Sequence, residues 1–452
     1  MRDDKAVISL ISLGCDKNLV DSEEMLGLLN KKGFLLSPDH EEADIVILNT
    51  CCFILDAKQE SIDTIIELER RKEEGSLKGI IVTGCLAERY TNEILEEFKC
   101  VDAVLGINSF DMICDAVESI LKKDQSPALY KRDINDRPVF IKERLLSTGG
   151  HYAYLKIAEG CNKRCTYCII PHIRGNYRSI PLEDLLDQAK TLVDGGVKEI
   201  ILVAQETTLY GIDLYGKKSL PLLIEKLSEL EDLKWIRLLY CYPEEIDDEL
   251  IDMMAENKKV CHYIDMPIQH ASDDILKKMG RLTDKASIVS VISSLREKIP
   301  DICIRTTLIT GFPGESEKDH GVLMDFIKEM RFDRLGAFKF SPEEGTKAFD
   351  MKDQIKESVK DERFDQIMLL QQDITLNINK ELEGITADVM VEGYIPDDEV
   401  YVGRTYRDAP DVDGLIFFKY PGELLSGDFV KVKVTRCLDY DLYGEIINEP
   451  SE

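Results

Sequence analysis

Thirteen cysteines stand in this chain of 452 residues, and six of them form two constellations able to do chemistry. Cys161, Cys165 and Cys168 make a CxxxCxxC loop just after a strand-like run, YAYLKIA. Three thiolates from one short loop suit a cubane iron–sulfur cluster, which has four irons held by cysteine. The fourth iron is then open to chelate the amino and carboxylate groups of a substrate. S-Adenosylmethionine offers both groups; one electron passed from the cluster to its sulfonium cleaves it to methionine and a 5′-deoxyadenosyl radical. The cofactor carries that chemistry, and the protein's task is to hold it and exclude water. A Cys3His zinc site with His172 is formally open, although zinc sites more often pair CxxC units. Tyr167, between the last two cysteines, can pack against an adenine ring or serve as a core aromatic.

The second constellation is dispersed in sequence. Cys15 follows AVISLISLG, Cys51 follows DIVILNT, and Cys85 follows GIIVTG. In a parallel sheet these strand ends lie along one edge, so three distant thiols meet there. A second cluster with one open iron is the expectation. Cys52, Cys100, Cys114, Cys241, Cys261, Cys303 and Cys437 read instead as small buried hydrophobes. Two clusters suggest two roles, one making a radical and the other carrying or presenting sulfur. That points to sulfur insertion at an unactivated C–H bond, with no catalytic residue required beyond the clusters. Gln205 and Glu206, after the second strand of the central domain, are placed to reach a cofactor amino group, or simply to shape a turn. Arg174 and Arg178 make a basic spot beside the cluster loop, able to meet a carboxylate or to stand solvated.

The elements that must position these residues give an α/β multidomain chain. Residues 1–123 alternate near-continuous apolar runs with amphipathic helices, the pattern of a parallel sheet covered by helices. Gly33 reads as a helix C-cap and Thr91 as an N-cap. Residues 124–147 lose the rhythm and read as a linker. Residues 148–383 carry six strand–helix units, fewer than the eight of a closed barrel, and predict an open, partial (βα)6 barrel. A long helix over about 356–383 leads out, and 384–452 holds five short alternating runs that predict a small antiparallel, OB-like barrel.

Composition narrows the partners. Many cysteines without a signal peptide point to a reducing compartment, hence a cytoplasmic protein, and no run is long enough to cross a membrane. A net charge of −29 disfavours a nucleic-acid partner, which needs a basic face. The last domain alone holds six Lys and Arg against fifteen Asp and Glu, which suits a basic protein.

SLGCDKNLVDSE, LNTCCFI, VTGCLAER and KIAEGCNKRCTYCIIPHIRG together resemble the motifs of the methylthiotransferases, a radical S-adenosylmethionine family. The resemblance spans the chain: an N-terminal methylthiotransferase domain, the radical domain and a C-terminal TRAM domain. It implies that Cys15, Cys51 and Cys85 bind one [4Fe-4S] cluster, and that Cys161, Cys165 and Cys168 bind another that chelates S-adenosylmethionine. LVAQETTLYGIDLYG, YIDMPIQHAS and RTTLITGFPGE are most similar to the branch acting on ribosomal protein S12. That branch implies 3-methylthioaspartate as product, one S-adenosylmethionine as methyl donor and one as radical source. It implies a reductant such as flavodoxin or ferredoxin, and leaves the sulfur donor open. Asp16 stands where the branch has proline. The alternatives are a tRNA adenosine methylthiotransferase and a non-catalytic iron–sulfur or zinc module that binds the ribosome.

Overall fold

The computed structural model describes residues 6–122 and 127–447. The first sheet is entirely parallel. Val7–Ser12, Ile45–Thr50, Gly79–Thr83 and Ala103–Leu105 lie side by side, with Leu35–Leu36 on one edge and Ala128–Tyr130 on the other. The inner strands are buried on both faces, which is why they read as runs of Ile, Val and Leu rather than as alternating ones. Helix Asp16–Lys32 ends on Gly33 in the left-handed conformation, as expected. Thr91 differs from expectation. It is the first residue inside helix Thr91–Glu97, and its hydroxyl donates to the Ala87 carbonyl, so Tyr90 takes the cap position.

Of the stretch expected as a linker, 124–147, residues 124–126 lie outside the described ones and the rest is mostly tied to the first domain. Ala128–Tyr130 is the sixth strand of the first sheet, and the residues after it strap across helix Asp16–Lys32. Ile141 is buried in the core beneath that helix. Arg144 pairs with Glu23 at 2.7 Å, and Ser147 donates to the other oxygen of the same carboxylate at 2.8 Å. The strap supplies partners that the polar residues of this helix face need once buried.

Glu24, on the same face, has its carboxyl pushed up to about 7 by burial. A raised acid pKa means the folded state holds its proton longer, so stability is fully present below the unfolded value near 4.5 and is lost as pH rises toward 7. The loss expected at neutral pH is on the order of 3 kcal/mol. Glu24→Gln should flatten this stretch of the pH–stability curve, measured by urea unfolding between pH 5 and pH 8. An unchanged slope would contradict it.

The central domain holds six parallel strands in sequential order: Tyr152–Lys156, Glu199–Val203, Trp235–Leu238, Val260–Asp265, Cys303–Thr310 and Arg334–Lys339. This is the open (βα)6 barrel. Outward residues such as Leu155, Ile200, Leu202 and Ile264 pack beneath the helices. Inward ones include Tyr152, Tyr154, Ile201, Trp235 and Tyr263. A two-residue antiparallel ribbon, Ala158–Glu159 against Arg178–Ser179, brackets the cysteine loop. Helix Glu357–Glu381 then leads to the last domain.

Thr386–Ile395, Val400–Thr405, Ile416–Lys419, Leu442–Ile446 and Phe429–Cys437 close a barrel in that spatial order. It is antiparallel except at one seam, where Ile416–Lys419 runs parallel to Leu442–Ile446. The barrel plugs the base of the central domain with buried ion pairs. Arg404 reaches Glu199 at 2.7 Å, Glu199 also holds Arg237 at 2.6 Å, and Arg334 reaches Asp408 at 2.6 Å. The mouth at the other ends of the strands is left to the N-terminal domain. No helix among the described residues is long and apolar enough to cross a membrane.

Candidate active site

The three dispersed cysteines do meet. Cys15 caps the N-terminus of helix Asp16–Lys32, Cys51 directly follows strand Ile45–Thr50, and Cys85 sits in the first turn of the short helix Gly84–Arg89. Their strands are adjacent in the sheet, so the thiols share its C-terminal edge. Each is close enough to act electrostatically on another: Cys15 and Cys51 both help raise the Cys85 thiol, after burial itself. Cys52 is fully buried in the same apolar cluster as Cys85, with Val46 and Leu48, and also raises the Cys85 thiol. All thirteen cysteines are free.

Glycine makes the convergence possible. Gly14 has φ +91°, and a Cβ there would fall 2.7 Å from Cys51 Cβ and 2.8 Å from Cys51 Sγ. Gly14→Ala should therefore cost about 1–3 kcal/mol from the left-handed backbone alone, and more from the contact. Thermal unfolding of the variant tests this; an unchanged midpoint would refute it.

The CxxxCxxC loop follows Gly160, also in the left-handed region with φ +77°, where a Cβ would meet the Asn176 carbonyl at 2.2 Å. The loop is pinned from outside: Thr166 N–H donates to Met279 O at 2.8 Å, and Ala348 N–H donates to Thr166 O at 2.9 Å. Cys161 and Cys165 are buried and Cys168 is half-buried. Burial pushes the Cys161 thiol up to about 11, and raises Cys168 as well. A bound metal reverses this logic, because its charge replaces the proton. Among the described residues no three His, Cys, Asp or Glu side chains converge on a point as a single ion demands. Each trio is instead a set of neighbouring thiols, with Cys51, Cys85, Cys161 and Cys165 buried and Cys15 and Cys168 half-buried.

Arg174 lies against the first trio. Its guanidinium is fully buried and binds Asp21 and Glu159 at 3.0 Å each, Asn18, and the Cys85 sulfur at 3.5 Å. Glu159 lies two residues before Cys161. One side chain thus links the first trio to the strand end that carries the second. Asn18 holds the loops around it, donating to the carbonyls of Leu13 and Thr50 at 2.9 and 3.0 Å. Asp16 accepts from Tyr240 Oη at 2.9 Å, while Lys17 lies 3.3 Å over the Tyr240 ring. The first turn of helix Asp16–Lys32 therefore roofs the barrel mouth.

Three parts of the chain match known family models: residues 7–106 the uncharacterised protein family UPF0004, 155–327 the radical SAM superfamily, and 384–447 the TRAM domain. The chain is 54% identical to the ribosomal protein uS12 methylthiotransferase RimO of Lachnoclostridium phytofermentans, over 97% of this chain and 99% of that one. It is 51% identical to the protein of the same name from Acetivibrio thermocellus, over 99% and 100%. The chain belongs to the RimO family of methylthiotransferases.

As a RimO-family member it is a radical SAM transferase, whose cofactors include S-adenosylmethionine and a [4Fe-4S] cluster. Among solved structures its fold is similar to the radical S-adenosylmethionine methyltransferase TsrM of Kitasatospora setae, with TM-score 0.55, 13% identity, and coverage of 86% of this chain and 78% of that one. The cobalamin-dependent enzyme OxsB gives TM-score 0.52, 14% identity, and coverage of 82% and 56%.

The remaining expected residues divide. Gln205 Nε2 donates to Glu159 Oε1 at 2.8 Å and leaves its own Oε1 without a partner. Glu206 is buried, holds the Thr208 N–H on one oxygen, and has the other unpartnered; burial pushes its carboxyl up to about 8. Tyr167 packs with Ile275, Met279, Phe312 and Phe340. Arg174 faces Cys85 rather than the open side of the cysteine loop. Arg281 escaped the sequence reading. Its guanidinium stacks 4.3 Å from the Tyr242 ring, and two of its nitrogens have no partner. Unpartnered polar atoms from Gln205, Glu206 and Arg281 fit a polar, charged ligand such as S-adenosylmethionine.

Proposed function

We propose that this protein adds a methylthio group to the β-carbon of an aspartate of ribosomal protein S12, in the cytoplasm. Cys161, Cys165 and Cys168 would hold the cluster that chelates S-adenosylmethionine, and Cys15, Cys51 and Cys85 a second [4Fe-4S] cluster. When bound, these groups supply the electron, the radical and the methyl group. The reductant is of the flavodoxin or ferredoxin class.

The observation that carries this reading is one buried arginine that holds both Cys85 of the first trio and Glu159, two residues before the second, with the barrel mouth roofed by the domain that holds the first trio. The chain's own residues have three tasks. Gln205, Glu206 and Arg281 offer the open hydrogen-bonding atoms that orient a bound cofactor. The burial of Asn18, Asp21, Glu159, Arg174 and Glu206 keeps water away. Asn18 and Arg174 fix the spacing between the two trios.

The last domain supports a protein substrate over RNA. Arg404 and Arg407, two of its six cations, are consumed in buried pairs, as are its acids Glu392, Asp408 and Asp413, so its exterior stays strongly acidic. Mass spectrometry of S12 and tRNA from a deletion strain, with and without the restored gene, tests the proposal. A methylthio mass increment on S12 that returns with the gene supports it; unchanged S12 with altered tRNA overturns it.

A further inference from the structure

A cavity of about 150 Å³ lies at the seam between the strap, the first sheet and the outer side of the cysteine-loop ribbon. It is walled by the apolar strap residues Pro138 to Ile141 and by Glu24, Arg137, Lys156, Glu159, Arg178 and Asp184. It is smaller than the roughly 300–1,000 Å³ of pockets that take drug-sized ligands. An anion of a few heavy atoms fits; a nucleoside does not.

Its charges are unevenly matched. Lys156 is committed to Asp21, and Glu159 to Arg174 and Lys156. Glu24 has its carboxyl raised by burial, which weakens it as a counter-charge near neutrality. Asp184 stands half-buried on the rim. Arg178 is different. It is only 7% exposed, its Nη atoms donate to the backbone carbonyls of Ile134 and Arg174, and its Nε has no partner. Among the described residues no carboxylate lies within ion-pair distance of it. A buried guanidinium held only by carbonyls, beside an open cavity, lacks its anion. Arg137 adds an exposed cation to the rim.

The place matters as much as the charge. Arg178 Nη2 donates to the Arg174 carbonyl at 3.1 Å, and the Arg174 side chain lies 3.5 Å from Cys85 Sγ. Arg174 therefore stands between the cavity's Arg178 and the first thiol trio. We infer that this seam cavity is a small-anion site anchored by Arg178 and, on the reading of a sulfur-inserting enzyme, that it takes hydrosulfide. A methylthio product needs one sulfur atom that S-adenosylmethionine does not leave in the product when it donates only a methyl group or a radical. A hydrosulfide held here waits beside Arg178, one arginine from the trio.

The test uses the cluster-loaded protein. Crystals soaked in bromide should show an anomalous peak in the cavity beside Arg178, absent in Arg178→Gln and retained in Arg178→Lys. Hydrosulfide, but not equimolar phosphate, should displace the bromide. With hydrosulfide as sulfur source, Arg178→Gln should raise the apparent KM for hydrosulfide about ten-fold or more, a larger change than the fall in kcat. An empty cavity in the wild-type soak, a peak that persists in Arg178→Gln, displacement by phosphate instead, or an unmoved KM would each overturn the inference. If the wild-type protein methylthiolates nothing, the functional reading fails, and the bromide arm still decides the anion site.

Discussion

Replacing Arg174 with methionine is expected to destabilise the protein by about 3–5 kcal/mol, the cost of leaving buried charges without their partner. Arg174 is fully buried, and Asp21 and Glu159 both close on it at 3.0 Å. Lys156 would remain as their counter-charge, but it already binds both and cannot supply the fork of donors that Arg174 provides. Asn18, whose Nδ2 braces Leu13 before Cys15 to Thr50 before Cys51, would also lose the partner of its Oδ1. Arg174→Lys keeps one charge and should recover only part of the loss. Urea unfolding followed by circular dichroism measures the change. A shift below about 0.5 kcal/mol, the range of ordinary surface substitutions, would mean that the seam does not depend on this side chain.

The sequence revealed the fold where one periodic signal decided it. All six strands of the central domain are present, and each ends earlier or at the same place as its apolar run suggests. The run EIILVAQ, for instance, continues past the strand Glu199–Val203 because its last residues belong to the polar strand-end loop. The sixth strand of the first sheet was hidden, because Ala128–Tyr130 is three residues long, lies on an edge and has no alternation to detect. The cysteines were legible for a different reason. Parallel topology alone puts successive strand ends on one edge, so their meeting did not depend on any side-chain detail. Arg174 did depend on it. Two of its partners are 153 and 156 residues away in sequence, and a basic residue near a cluster loop gives no sign of which trio it will face. On helix Asp16–Lys32, Asn18, Asp21, Ser22, Glu23 and Glu24 are polar yet buried, held by partners from the first sheet, the strap and the central domain together.

On the proposed reading the two thiol trios do separate work. In the Cys15→Ala, Cys51→Ala, Cys85→Ala triple variant, iron is expected to fall from about eight to about four atoms per chain, because a cubane holds four. Formation of 5′-deoxyadenosine should persist, since Cys161, Cys165 and Cys168 stand on a loop pinned independently by Met279 and Ala348. Methylthiolated product should fall about a thousand-fold or more, because the group that would present sulfur is gone. The Cys161→Ala, Cys165→Ala, Cys168→Ala variant should lose the same iron but abolish both readouts. Iron analysis and chromatography of anaerobic reactions measure all three quantities. Cys51 and Cys85 are buried beside Arg174, so alanine there leaves small cavities and a guanidinium still held by Asp21 and Glu159. The first variant should therefore fold, and its retained 5′-deoxyadenosine would show that it has. Product at the wild-type level from that variant would refute a sulfur-presenting role for the first trio. Loss of 5′-deoxyadenosine in a folded first variant would mean that the trios work as one centre rather than two.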